Sequence, residues 1–212
     1  FERAFVDTWG LCRGREEEPL PEHPEPERQG TVPCRAIVDG PDENIDKFAT
    51  VLVGSVSAAR RRILIMTPYF LPPRELIAAL QAASLRGVEV LIILPAVNNL
   101  VVVHWATRNM LWELLKYGVR VFYQPPPFNH SKLFLLDDHY AIVGSSNIDA
   151  RSLRLNFELV MEVFDPAFAG DLVSHFRDIL SRSREVTLKE VDSRTLPVRV
   201  RDAFCWLFSP YL

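Results

Sequence analysis

Between residues 34 and 123 short apolar runs alternate with longer stretches of helical spacing, an order that few folds accept. The runs at 34–38, 62–67, 88–94 and 119–123 are rich in Ile, Leu and Val and have the length of single strands. Between them, 42–60, 73–86 and 98–117 repeat apolar residues every three to four positions, as amphipathic helices do. Strands that are apolar throughout are buried on both faces, and a βαβ order joins neighbours in parallel. This half of the chain is therefore expected to form an α/β unit, a parallel sheet with helices on both faces. The second half differs. The runs 132–136 and 140–143 flank Asp137-Asp138-His139, a polar turn suited to a hairpin, and a third run follows at 156–164. Helical spacing resumes at 166–181, and the chain closes on the apolar stretch 204–212. A hairpin added to a parallel sheet makes the sheet mixed, so the fold class expected for the whole is α/β, a mixed β-sheet flanked by helices on both faces.

Residues 13–32 are dominated by Glu, Pro and Arg, a composition that buries too little apolar surface to fold alone. They are read as an acidic Pro-rich linker or mobile loop. Phe1, Ala4, Phe5 and Trp9 have the spacing of a helix, and the chain opens without Met. Residues 1–12 are accordingly expected to end a preceding unit, with 33–212 as the main domain. The net charge of −3 lacks the basic excess of duplex binders, which weighs against nucleic acid as the main partner. No apolar run approaches the ~20 residues that span a bilayer. Cys12, Cys34 and Cys205 are odd in number and widely spaced, supporting neither a disulfide framework nor a metal site.

Polar residues recur where the later runs begin and end: His130, Lys132, Asp137, Gly144, Ser145, Asn147, Asn156 and Glu158. His130 and Lys132, two apart in an extended segment, project from the same face and can converge on one small anion. Imidazole can attack phosphorus or shuttle protons near neutral pH, and an ammonium can neutralise oxygens as charge builds on them. Gly144, Ser145 and Asn147 follow the next strand, where backbone and side-chain donors can hold the remaining oxygens. A metal site built from His130, Asp137, Asp138 and His139 is disfavoured, since Lys132 would repel the cation. A serine hydrolase using Ser145 or Ser146 would lack the G-x-S-x-G elbow.

The pattern H-x-K-x4-D, followed after six residues by G-S-x-N, resembles the phospholipase D superfamily at every defined position. The resemblance implies a phospholipase D-like fold and metal-free chemistry without a cofactor. It implies a catalytic set of His130, Lys132, Asp137 and Glu158, in which Glu158 hydrogen-bonds the second ring nitrogen of His130 and Asp137 is structural. Lys132, Gly144, Ser145 and Asn147 would bind the substrate phosphate. Further segments, Thr67-Pro68-Tyr69-Phe70, Ile92-Ile93-Leu94-Pro95, Asp149-Ala150-Arg151-Ser152 and Phe208-Ser209-Pro210-Tyr211-Leu212, are similar to those of bacterial cardiolipin synthases, specifically their C-terminal half, over 34–212. That likeness implies transfer of a phosphatidyl group from phosphatidylglycerol to a second phospholipid through a phosphatidyl-histidine intermediate. It also implies a peripheral bacterial enzyme on the cytoplasmic face of the membrane.

Such chemistry needs two imidazoles, one attacking and one protonating the leaving oxygen. His23, His104, His139 and His175 are not followed by Lys two residues on, so the chain carries a single H-x-K. The partner half-site is expected in a missing N-terminal half or a second copy of the chain. Two rivals stand beside this reading: a nucleic-acid phosphodiesterase of the same superfamily acting as a dimer, and a non-catalytic half that binds lipid.

Overall fold

The computed structural model describes residues 2–13, 29–41 and 44–212. Most of the linker expected at 13–32, and His23 with it, lies outside the described residues. The elements are α1 (Glu2–Arg13), β1 (Cys34–Asp39), α2 (Lys47–Ala58), β2 (Arg62–Met66), α3 (Arg74–Leu85), β3 (Glu89–Pro95), α4 (Val101–Leu115) and β4 (Arg120–Gln124). After them come β5 (Leu133–Leu136), β6 (Tyr140–Gly144), α5 (Ala150–Arg154), β7 (Glu158–Phe164), α6 (Pro166–Arg182), β8 (Arg184–Val186), α7 (Leu188–Asp192) and α8 (Leu196–Trp206). The strands make one sheet in the order β1-β7-β6-β5-β2-β3-β4-β8.

Local chemistry sets the boundaries. Helix α3 follows Pro72-Pro73, which donate no N–H, and α6 opens with Pro166 while the Asp165 carboxylate accepts the Phe168 N–H at 2.6 Å. Gly87 and Gly118, at φ 88° and 85°, supply the left-handed residue just past α3 and α4. The expected hairpin forms between β5 and β6, with Asp137 and Asp138 both at positive φ, a conformation that aspartate tolerates better than most residues.

Strands β2, β3 and β4 are parallel, as expected, and the hairpin joins antiparallel to β2. Strand β1 does not extend the parallel set. It pairs antiparallel with β7 at the sheet edge, Cys34 opposite Val163 and Asp39 opposite Glu158. Strand β2 already has β3 on one side and β5 on the other, so the open edge of β7 is where β1 can satisfy its backbone.

Alternate strand residues enter two cores. Ile63, Ile65, Val90, Ile92, Val121 and Phe134 face α2, α3 and α4, whereas Leu64, Met66, Leu91, Ile93, Leu133 and Leu135 face Val173, Phe176 and Ile179 of α6. The central strands are thus buried on both faces, which explains their unbroken apolar sequence. Helix α8 packs on α4 and is held by Asp202, which is fully buried and paired with Arg194 (2.6 Å), Arg201 (2.7 Å) and Arg108 (3.3 Å). Among the described residues, no helix is long and apolar enough to cross a membrane.

Candidate active site

Antiparallel pairing carries the polar residues to one edge of the sheet. Met66, ending β2, lies opposite Leu133, which opens β5; Leu133 lies opposite Val143, and Gly144 opposite Val160. The segment before β5, the residues after β6 and the start of β7 therefore share an edge, and His130, Lys132, Ser145 and Glu158 meet there.

His130 and Lys132 stand just ahead of β5 rather than within it. The Asn129 side chain accepts the Ser131 N–H at 2.8 Å and so turns the chain into the strand. Lys132 Nζ lies 3.1 Å from Nδ1 and 3.4 Å from Nε2 of His130, and donates to the His130 carbonyl at 3.0 Å. Tyr69 meets the imidazole edge-on at a centroid distance of 5.9 Å, and Phe128 lies at the same distance. Tyr69 is held by a loop whose Leu71 N–H donates to the Ile148 carbonyl at 2.7 Å, while Phe70 is buried in the core. Partial burial and then the Lys132 charge push the His130 imidazole below its ordinary value. Burial also lowers Lys132, with Glu158 and Asp149 pulling the other way.

Gly144 is fixed by close approach. A Cβ there would stand 2.4 Å from the Leu159 carbonyl oxygen and 2.6 Å from the Val160 Cα, so no other residue fits without moving backbone. The Ser145 hydroxyl donates to the Glu158 carboxylate and accepts the Leu159 N–H at 3.0 Å. Asn156 Nδ2 donates to the other Glu158 oxygen at 3.3 Å. Glu158 is thus held by Ser145 and Asn156, and no hydrogen bond joins it to His130. This departs from the arrangement implied by the family resemblance. Asn147 is buried, its Nδ2 donating to Ser152 Oγ at 3.2 Å and its Oδ1 without a partner among the described residues.

Asp137 does not join these groups. It lies at the far end of β5, where its carboxylate accepts the backbone N–H groups of Arg60 (2.8 Å), Arg61 (2.8 Å) and Arg62 (3.0 Å). Burial alone would raise its pKa, but those three donors outweigh it and hold the carboxyl below the usual range.

Phe128, Asn129 and Asp149 are the neighbours that sequence reasoning did not assign to the site. Asp149 is 3% exposed and caps α5 by accepting the Ser152 N–H at 2.7 Å, a role signalled by the Asp149-x-x-Ser152 spacing. Beside the site opens a groove of about 490 Å³, lined by the polar Asn147 and Asp149 and by Leu100, Val101 and Tyr211.

Comparison with known proteins identifies the family. The family model described as "Cardiolipin synthase, PLD-like domain" matches residues 52–180. The major cardiolipin synthase ClsA of Bacillus subtilis is 38% identical over 194 residues, 91% of this chain and 40% of that protein. Cardiolipin synthase A of Proteus mirabilis is 37% identical over 178 residues, 84% of this chain and 37% of that protein. The chain therefore spans well under half the length of these curated relatives. Among solved structures, the phospholipase D family member Nuc from Salmonella typhimurium superposes with a TM-score of 0.63 at 20% identity, over 74% of this chain and 99% of that one. Phosphatidylserine synthase from Haemophilus influenzae reaches 0.68 at 16% identity, over 99% of this chain and 54% of that one. The chain belongs to the cardiolipin synthase family of phospholipase D-like domains.

Proposed function

We propose that this chain supplies one half-site of a phosphatidyltransferase that moves a phosphatidyl group from phosphatidylglycerol to a second phospholipid. The observation that carries the reading is the His130–Lys132 pair at the edge of the sheet, a neutral-leaning imidazole with an ammonium 3.1 Å away. One imidazole attacks the donor phosphorus while a second protonates the departing glycerol oxygen. Lys132 neutralises the phosphoryl oxygens as charge develops on them. Asn147 joins it if its amide turns over, so that the Ser152 hydroxyl donates to Oδ1 and Nδ2 faces the phosphate. Gly144 and Ser145 set the course of the strand end, and Ser145 with Asn156 holds Glu158 within electrostatic reach of Lys132.

A single H-x-K gives this chain one imidazole of the two, so the reading requires a second half-site, from an N-terminal half of a longer protein or from another copy. His130 is either the nucleophile or the proton carrier. In this reading the groove beside it, lined by Asn147 and Asp149 as well as Leu100, Val101 and Tyr211, takes a phospholipid, and the protein works peripherally at a membrane surface, on the cytoplasmic side.

The deciding experiment incubates the full-length parent with labelled phosphatidylglycerol in vesicles and identifies products by mass spectrometry beside a His130→Ala control. Cardiolipin and glycerol that vanish in the variant support the reading. Phosphatidic acid alone makes the enzyme a hydrolase, and the absence of any lipid product turns attention to nucleic-acid phosphodiesters.

A further inference from the structure

The chemistry at His130 handles the donor phosphate and leaves the acceptor unaccounted for. In the second half of the proposed transfer, the acceptor hydroxyl oxygen attacks phosphorus held on an imidazole nitrogen. The P–O bond forms as the P–N bond breaks, and its electron pair returns to the ring. The hydroxyl proton passes to the opposing imidazole, which gave its own proton to glycerol in the first half. When the acceptor is itself phosphatidylglycerol, only the three carbons of a glycerol separate that hydroxyl from the acceptor's own phosphate. A second anion must then sit beside the first, desolvated by the same walls.

Among the described residues that line the groove, Arg151 is the cation. Arg151, in the first turn of α5, lines the 490 Å³ groove together with Asn147, Asp149 and the apolar Leu100, Val101 and Tyr211. Its side chain is exposed and has neither an ion pair nor a hydrogen bond among the described residues, whereas its neighbour Arg154 is paired with Asp46 at 3.1 Å. Its backbone is fixed, since the Arg151 N–H donates to the Leu212 carbonyl and its own carbonyl accepts the Asn156 N–H at 2.9 Å. Asp149, which also lines the groove, is occupied in capping the helix and lies where both Lys132 and Arg151 feel its charge. Both cations thus interact with one buried carboxylate, Lys132 beside His130 and Arg151 in the lining of the groove. A guanidinium on a fixed backbone, lining a groove that also has apolar walls, suits bidentate recognition of a phosphate attached to acyl chains.

We propose, on the basis of the phosphatidyl-transfer reading, that Arg151 binds the phosphate of the acceptor phospholipid and so selects a phosphate-bearing acceptor over water or a simple alcohol.

The test uses the full-length parent and its Arg151→Ala and Arg151→Lys variants in detergent micelles, with labelled phosphatidylglycerol alone and with ethanol added as a phosphate-free acceptor. The Arg151→Ala variant is expected to form cardiolipin at least tenfold more slowly, through a raised KM for the acceptor. Phosphatidylethanol formation should stay within about twofold of wild type, and Arg151→Lys should recover part of the loss. Equal loss of both products would make Arg151 a donor-side or structural residue, and loss of neither would remove it from the reaction; either result overturns the proposal. A wild-type protein that forms no lipid product overturns the transfer reading, and this inference falls with it. An active wild type with an unchanged product ratio in Arg151→Ala overturns this inference alone.

Discussion

The Lys132 ammonium lies against the His130 imidazole, 3.1 Å from Nδ1 and 3.4 Å from Nε2, so protonating the ring sets two positive charges side by side. Burial of the ring and then this repulsion keep His130 neutral to lower pH than a free imidazole, whose pKa is about 6.5. In a histidine NMR titration His130 should have its midpoint below that value, and Lys132→Gln should move it upward. The acidic limb of the activity profile, where the attacking or proton-accepting ring protonates, should move with it. A midpoint indifferent to Lys132 would mean that the ammonium turns away from the ring in solution.

Glu158 is held by the Ser145 hydroxyl and by Asn156. Ser145→Ala should lower kcat rather than raise KM for the phosphatidyl donor, because the hydroxyl acts through the carboxylate. Adding Ser145→Ala to Glu158→Gln should cost little beyond the Glu158→Gln change alone, as expected for residues acting as one unit. Additive losses, or a KM effect in the single variant, would instead mark Ser145 as a direct phosphate ligand.

Gly144→Ala should destabilise the protein by roughly 1–3 kcal/mol, the usual cost of forcing atoms into a packed site, because its Cβ meets the β7 backbone rather than a side chain that can swing aside. The displaced strand end carries Ser145, so activity should fall even at temperatures where the variant stays folded. Thermal denaturation alongside an activity assay separates the two effects.

Asp202→Ala removes the one carboxylate shared by Arg108, Arg194 and Arg201, leaving cations without their partner under α8. A loss of about 3–5 kcal/mol is expected, as when one partner of a buried ion pair is deleted. Denaturant unfolding measures it, and a change of under about 1 kcal/mol would place the cluster in water.

Sequence and structure agree where one residue pattern has a single physical reading. Strands β2, β3 and β4 were legible because unbroken apolar runs separated by helical spacing can be buried only in a covered parallel sheet. The hairpin was legible from Asp137-Asp138-His139. The partner of β1 was not, because a short run such as Ala36-Ile37-Val38 does not encode which open edge it will join. Helix α8 was hidden by its composition: Leu196, Val200 and Phe204 face outward at 60% exposure or more, while the charged Asp202 points inward. The helical spacing expected over 42–60 overran the helix into Arg60. The helix stops at Ala58, and Arg60, Arg61 and Arg62 instead give their backbone N–H groups to Asp137. At the site, His130 and Lys132 could be picked out by spacing. The company Glu158 keeps depends on strand pairing, which spacing does not record.

The Asp137 carboxylate should also register in acid stability. Its folded pKa is depressed, so its contribution is complete above the unfolded value of about 3.9 and is lost as pH falls through the folded one. Asp137→Asn should therefore lower the Tm at neutral pH and flatten the fall of Tm below about pH 4 relative to wild type. Parallel acid-induced decline in the two proteins would assign that decline to other carboxylates.

Lys132 and Asp137 bracket β5, whose four residues Leu133–Leu136 are all buried. One end of that strand is pinned through Asp137 to the start of β2, and the other presents the imidazole and ammonium. The four-residue gap in the motif is therefore a ruler, the span of the sheet along its strands counted in amino acids. Inserting or deleting one residue just before Asp137 would, with that end pinned, turn the side chains of β5 to the opposite face and shift His130 and Lys132 out of place, although each chemical group would still be present.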